Sequence, residues 1–186
     1  MIREAKKALR REILKKIGEL PQSYIDYSDS VIREKLLACD EYLSAERIFA
    51  YCSIDREVDT REIISHALHD GKRVALPVSL PHGRMIFREI SDFGHFTEGA
   101  YGIPEPDESC PEAEPRRCDI ILVPALSADA EGNRLGHGAG YYDRFLERYD
   151  FLCSICLIRA ELMTEHIPTE ETDRRVSRVL NENQDT

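Results

Sequence analysis

Apolar residues at the start of the chain recur every three or four positions. Ile2, Ala5, Leu9, Ile13 and Ile17 fall on one side of a helical wheel, and Gly18 then Pro21 end the pattern, so the spacing predicts an amphipathic helix over 2–17. A second helix is expected over about 28–39, opened by Ser28 or Asp29. The pattern then shortens. Runs at 47–54, 73–79, 85–90, 119–126 and 152–158 are apolar or alternating, rich in Val, Ile and Leu, and read as strands, with helical stretches at 60–69 and 141–149 between them. Such alternation predicts an α/β fold in three layers, a mostly parallel sheet covered by helices on both faces. The run 85–90 alternates strictly and follows a Pro-His-Gly turn at 81–83, which suits an antiparallel edge strand. Residues 91–117 are proline-rich and aperiodic, a long loop of the kind that covers a site, and the tail 181–186 is expected to fray.

Length and charge narrow the function. The chain has 186 residues, which suits a single domain spanning 1–186. Thirty-five acidic residues against 25 basic ones give a net charge of -10, so a nonspecific nucleic-acid binder would work against its own field. The charged opening lacks the apolar stretch of a signal peptide, and no run approaches the roughly 18 apolar residues of a membrane span. A soluble cytoplasmic protein, monomeric or weakly dimeric, without nucleic-acid or membrane partners, is the expectation. Cys52, Cys153 and Cys156 sit inside apolar runs, and residues three apart in a strand face opposite ways, so reduced core thiols are expected rather than a zinc site.

The segment 119–146 carries the chemistry. A buried strand leads through a polar turn to Arg134 and Leu135, then to glycines at 136, 138 and 140, then to a helix opening Tyr141-Tyr142-Asp143. Glycines at every second position allow left-handed backbone and let successive N–H groups converge on an anion, and the next helix adds its own unpaired N–H groups and dipole. One reading is a phosphate cradle, with Arg134 supplying a guanidinium fork. The other is a turn that needs glycine only for close packing. Asp143 suits the helix dipole or a magnesium ion beside phosphates.

The stretch RLGHGAGYYDRFL resembles the signature of the 5-formyltetrahydrofolate cyclo-ligase family, also called 5,10-methenyltetrahydrofolate synthetases. Further matches follow in order: Lys6, Leu9 and Arg10 in a K-x-x-L-R pattern, EVDT ending at Thr60, GKRVALP, YGIPEP, and IP-x-E-x-x-D ending at Asp173. The resemblance implies a NagB/RpiA/CoA-transferase-like fold and ATP-dependent, magnesium-assisted cyclisation of 5-formyltetrahydrofolate to 5,10-methenyltetrahydrofolate. It gives ATP to Lys6, Lys7, Ala8, Leu9 and Arg10 on the first helix and to Arg134, Leu135, Gly136, His137, Gly138, Ala139, Gly140, Tyr141 and Tyr142. The folate substrate would meet Ile54, Glu57, Asp59 and the loop residues 137–141, and Asp143 and Asp173 would bind magnesium. Lys6 and Arg134 would be the catalytic cations.

Spacing alone leaves alternatives beside these roles. Lys6 and Arg10 share a helical face and can reach one polyphosphate, or belong to a solvated basic face. Asp59 and Glu62 have capping-box spacing, Asp173 suits a surface turn, and His137 is either a substrate contact or a solvated loop side chain. The sequence departs from the family pattern at Ala139, at 125–128 where an aromatic is lost, at Met163 and at Asn181. Two rival functions are a noncatalytic nucleotide or folate module, and a CoA-transferase-like enzyme using Glu57 or Glu105.

Overall fold

The structure is a computed structural model that describes residues 1–99, 102–151 and 153–184. Helices α1 (Ile2–Glu19), α2 (Gln22–Ala38) and α3 (Asp40–Ser44) precede strand β1 (Arg47–Phe49), helix α4 (Arg61–His69) and the strands β2 (Arg73–Leu80) and β3 (Arg84–Ile90). Two short strands, β4 (Phe96–Glu98) and β5 (Pro104–Pro106), form a hairpin. After β6 (Ile120–Leu122) comes a second hairpin, β7 (Ser127–Ala128) with β8 (Arg134–Leu135), then α5 (Tyr141–Arg148), β9 (Cys153–Leu157) and β10 (Arg178–Leu180).

The central sheet has the order β10-β9-β6-β1-β2-β3, parallel throughout except for the antiparallel edge strand β3. Alternation along its strands creates two cores. Ile48, Val74, Leu76, Ile120 and Ile155 face Ile32 and Leu36 of α2 and Ile63 and Ile64 of α4. Phe49, Ala75, Phe87 and Ile121 face Ile13 of α1 and Phe145 of α5. The three layers and the antiparallel edge are those the sequence pattern predicts. Cys153 lies in the first core and Cys156 in the second, and all six cysteines are free thiols. Burial pushes the Cys156 thiol up to about 12, leaving it inert.

The differences from the sequence pattern have identifiable causes. Helix α2 starts six residues earlier than expected, after Pro21, whose fixed φ of -62° leads into it. Ser28 and Asp29 cap nothing: the Ser28 hydroxyl donates back to the Ile25 carbonyl inside the helix, and Asp29 pairs with Arg159. The strand at 119–126 stops its ladder at Pro124, which has no N–H, just after Val123 donates to the Ile155 carbonyl. The loop at 91–117 is not structureless, since β4 and β5 pair within it and Arg88 bridges Glu112. The tail is held as far as Gln184: Lys35 donates to the carbonyls of Asn181, Glu182 and Gln184, and Glu182 accepts from Tyr24 and from the Ala160 N–H. Asn181, one of the family departures, accepts the N–H groups of Asn183 and Gln184 with its side chain and so folds that tail. Leu152 of the expected fifth strand, Tyr101 of the YGIPEP motif, Ala100, Asp185 and Thr186 lie outside the described residues.

Candidate active site

A cleft of about 1120 Å³ opens where the parallel strands β1, β2 and β6 end. This carboxyl-end position is where open α/β sheets bind ligands, because the loops diverge there and the backbone N–H groups of following helices point outward. One wall is α1, with Lys6, Lys7 and Arg10. The floor comes from Tyr51 and Cys52 after β1, Pro77 and Ser79 of β2, and Pro124 after β6. The loop 136–140 and the start of α5 close one end, and Ile103, Pro104 and Glu105 of the β5 region form the opposite rim.

The glycine loop is shaped as its spacing suggests, with one exception. Gly138 (φ 104°) and Gly140 (φ 70°) occupy left-handed backbone that a side chain would strain, whereas Gly136 does not. Gly136 instead offers its carbonyl to Arg10 Nε at 2.8 Å. Ala139 has no positive φ, so its methyl group fits without strain. Gly140 is the N-cap residue of α5 and makes no side-chain cap to its first turn, which opens beside the cleft.

Lys6, Arg10 and Arg134 at this end are already engaged by the protein. Lys6, 7% exposed, sits 2.5 Å from Asp173 Oδ2 and 3.6 Å from Glu170. Arg134 donates to Asp143 Oδ1 at 2.9 Å and to the Arg174 carbonyl, and its side chain is 5% exposed. Arg134 is therefore packed and paired within the protein at the mouth of the loop. Asp143 Oδ1 also accepts the Arg174 N–H, and Asp173 Oδ2 the Glu170 N–H. Among the described residues no cluster of three or more His, Cys, Asp or Glu is arranged to hold a metal ion.

The strand-end loop builds the other side. Asp55 takes a left-handed φ of 48°, turning the chain so that Glu57 Oε2 accepts the Ile54 N–H at 3.0 Å while Oε1 meets His137 Nε2 at 3.2 Å. The hydrogen bond to Glu57 outweighs partial burial and raises the His137 pKa above its ordinary value. The Tyr142 hydroxyl is buried with no hydrogen-bond partner among the described residues, a polar atom that a bound ligand or water would satisfy. Burial holds Cys52 up at about 11 and Tyr142 far above the usual phenol range, so both stay protonated at neutral pH.

A model of the 5-formyltetrahydrofolate cyclo-ligase family matches residues 2–182. The chain belongs to that family. It is 30% identical to the 5-formyltetrahydrofolate cyclo-ligase of Saccharomyces cerevisiae over 90% of each chain. With the cyclo-ligase of Mus musculus it shares 27% identity over 97% of this chain and 95% of the other. The NMR structure of Aquifex aeolicus 5,10-methenyltetrahydrofolate synthetase superposes with a TM-score of 0.85 at 28% identity, covering 96% of this chain and 90% of that one. The Mycoplasma pneumoniae enzyme of the same name, at 23% identity and a TM-score of 0.75, shares the fold.

Of the residues singled out by the cyclo-ligase signature, the fold gathers Lys6, Lys7, Arg10, Ile54, Glu57, Arg134–Asp143 and Asp173 around the one cleft. Three do not line it. Ala8 lies on the exposed side of α1, Leu9 packs toward the second core, and Asp59 uses Oδ1 to accept the Arg61 N–H at 2.9 Å, steadying the start of α4. Glu62, expected to complete a capping box, pairs with Arg33 instead. The sequence reading missed Glu170, which stands beside Asp173 at Lys6, and Arg144, which donates to the Gly83 and Ala139 carbonyls and so straps the glycine loop to the β2–β3 turn. Glu170 carried a signal, since it lies three residues before Asp173 in the same turn. Arg144 carried none, because its partners are backbone carbonyls, one of them 61 residues away.

Proposed function

We propose that the chain catalyses the ATP-dependent cyclisation of 5-formyltetrahydrofolate to 5,10-methenyltetrahydrofolate. The observation that carries this reading is the convergence, at one end of a single cleft, of Lys6 and Arg10 from α1, Arg134 from β8 and the glycine loop 136–140. A formamide is a weak electrophile because its nitrogen donates into the carbonyl, and its oxygen is a poor leaving group. Transfer of the ATP γ-phosphoryl group to that oxygen, with ADP leaving, makes it a phosphate; nitrogen 10 then attacks the formyl carbon and loses its proton to close the ring, and phosphate departs. Positioning and charge neutralisation dominate such a transfer, so the site needs no nucleophile.

Lys6, Arg10, Arg134 and the loop amides bind the polyphosphate and hold its charge as it develops. Tyr51, Ile54, Pro104 and Tyr142 exclude water from the reacting pair, and Glu57 orients the pterin part of the substrate. Asp143 and Asp173 each use one carboxylate oxygen within the protein and keep the other available, a hard-oxygen donor set that suits magnesium completed by phosphate oxygens. That ion would neutralise the transferred charge. The arrangement also favours catalysis over the noncatalytic module, because cations, carboxylates and an unsatisfied hydroxyl meet in one place.

The test is formation of the methenyl chromophore from 5-formyltetrahydrofolate with ATP and magnesium. The wild-type chain turns over, and Arg134→Ala and Asp143→Ala each lose about 10²-fold or more in kcat. A wild-type chain that binds but never turns over would overturn the activity. Unchanged rates in both variants would overturn the site.

A further inference from the structure

Resting on the cyclo-ligase reading above, we propose that Arg159 is a positioning residue for the formyl-substrate side of the cleft, a buried guanidinium that fixes the loop carrying Glu57 from behind. Arg159 follows β9 and is 1% exposed. Its Nη1 donates to the Arg56 carbonyl at 2.7 Å and its Nη2 to the Glu57 carbonyl at 3.1 Å. Nη2 also reaches Asp29 Oδ1 at 2.5 Å, and Nε donates to the Ser28 hydroxyl at 2.9 Å, both on α2. One side chain thus joins β9, α2 and the strand-end loop.

The loop creates the need for such a group. The left-handed residue Asp55 turns residues 56 and 57 so that their carbonyls point into the protein, away from any ladder partner. A buried carbonyl without a donor is costly, and the planar guanidinium serves both at once while Asp29 balances its charge. Burial pushes the Asp29 carboxyl up against the pull of Arg159, which marks the pair as one that stands or falls together. With the Glu57 carbonyl fixed, its carboxylate is aimed by only a few torsions and spans the Ile54 N–H and His137. No atom of Arg159 lines the cleft, so it acts through Glu57.

A bridge that merely held the core together would weaken the whole fold evenly. A positioning residue acts on one substrate. The experiment compares Arg159→Met and Arg159→Lys by steady-state kinetics in 5-formyltetrahydrofolate and in ATP, and by NMR titration of the His137 imidazole without any substrate. In Arg159→Met, the KM for the folate rises about tenfold or more and that for ATP stays within about twofold. Arg159→Lys recovers part of the loss, since one ammonium satisfies one carbonyl. The His137 titration falls back toward its ordinary value in Arg159→Met, because Glu57 no longer holds its place. Equal rises in both KM values, or an unmoved folate KM with an unmoved His137 titration, overturn the proposal. If Arg159→Met does not fold, Arg159→Lys and Asp29→Asn carry the same readouts with smaller changes of the same sign. Failure of the wild-type chain to turn over would remove the cyclo-ligase reading alone, and the His137 titration would then decide on Arg159 by itself.

Discussion

The two ends of the cleft are held in different ways. At the glycine-loop end the backbone is exposed at His137, Gly138 and Ala139, and the groups that fix it are ionic: Lys6 on Asp173, Arg134 on Asp143, Arg10 on the Gly136 carbonyl. At the strand-end loop the anchors are buried: Val58 and Thr60 pack inside, the Thr60 hydroxyl donates to the Tyr51 carbonyl at 2.5 Å, and Arg159 closes the loop from behind. On the proposed reading, the end that receives a multiply charged ligand keeps Lys6 and Arg134 paired with carboxylates, which limits the cost of burying unpaired charge. On the same reading, an end that orients a flat ring edged with hydrogen-bonding groups gains more from a rigid surface. Perturbing one end should therefore change the handling of one substrate and spare the other.

Gly140→Ala is expected to give the largest effect of this kind. The residue has a φ of 70° at the N-cap of α5, and an added Cβ would stand 2.8 Å from Arg144 Nη1. The left-handed backbone costs an L-residue about 1–2 kcal/mol, and the Arg144 guanidinium that straps the loop must shift to make room. Denaturant unfolding should show that loss. Kinetics should show an ATP KM raised about tenfold with the folate KM nearly unchanged. A variant that keeps both KM values and loses only stability would mean that the loop does not shape the phosphate site.

How much of this was legible beforehand depended on the range of the signal. The sheet, its helical layers and its antiparallel edge followed from periodicity, because each strand carries its own alternation and each face finds a partner. The glycine loop and its flanking residues were legible because 134–143 are contiguous. What escaped was long-range and polar. The α2 start was hidden because Ser28 sits on the buried face, where it looks like a cap. Arg134 pairs with Asp143 across the glycine loop, and it leaves a hairpin turn organised by Asp129. Burial works against the Asp129 charge, but hydrogen bonds from Asn133 and from the Ile167 and Glu131 N–H groups hold its carboxyl below the ordinary value. Arg159 reaches backbone carbonyls a hundred residues away, and no sequence pattern encodes such a contact. Asp59 and Leu9 fit the motif, yet local geometry turned them from the cleft.

The contact between the ends gives a smaller, pH-dependent effect. His137 bridges the glycine loop to Glu57, with Arg10 opposing and Asp55 adding to its protonation. The folded imidazole titrates above its unfolded value of about 6.5, so the pair stabilises the protein fully below that pH and ceases to as pH rises through the folded pKa. His137 is about half exposed, and solvent screening keeps the increment below about 1 kcal/mol. His137→Gln should therefore lower the melting temperature slightly at pH 6 and leave it unchanged at pH 9. Because protonated His137 competes for the Glu57 carboxylate, the wild-type folate KM should also rise toward acid pH, and the variant should flatten that rise. Identical profiles in the two proteins would show that the bridge does not matter to substrate.

Ala139→Gly should do least, and that smallness is informative. The resemblance marks Ala139 as standing where the family pattern has glycine or lysine, so the methyl group could be read as a strained substitution waiting to be relieved. Ala139 takes no left-handed φ, and its carbonyl is already held by Arg144 at 2.8 Å. Glycine then gains no strain relief and adds freedom to the unfolded chain, for a loss of about 0.4–1 kcal/mol by denaturant unfolding. The ATP KM should move by less than about twofold, since the left-handed positions that aim the amides are 138 and 140. A several-fold gain in ATP affinity would mean that the loop adopts, with nucleotide bound, a backbone that alanine resists. The ionic end of the cleft would then be shaped by its ligand, and the contrast with the buried end would be sharper still.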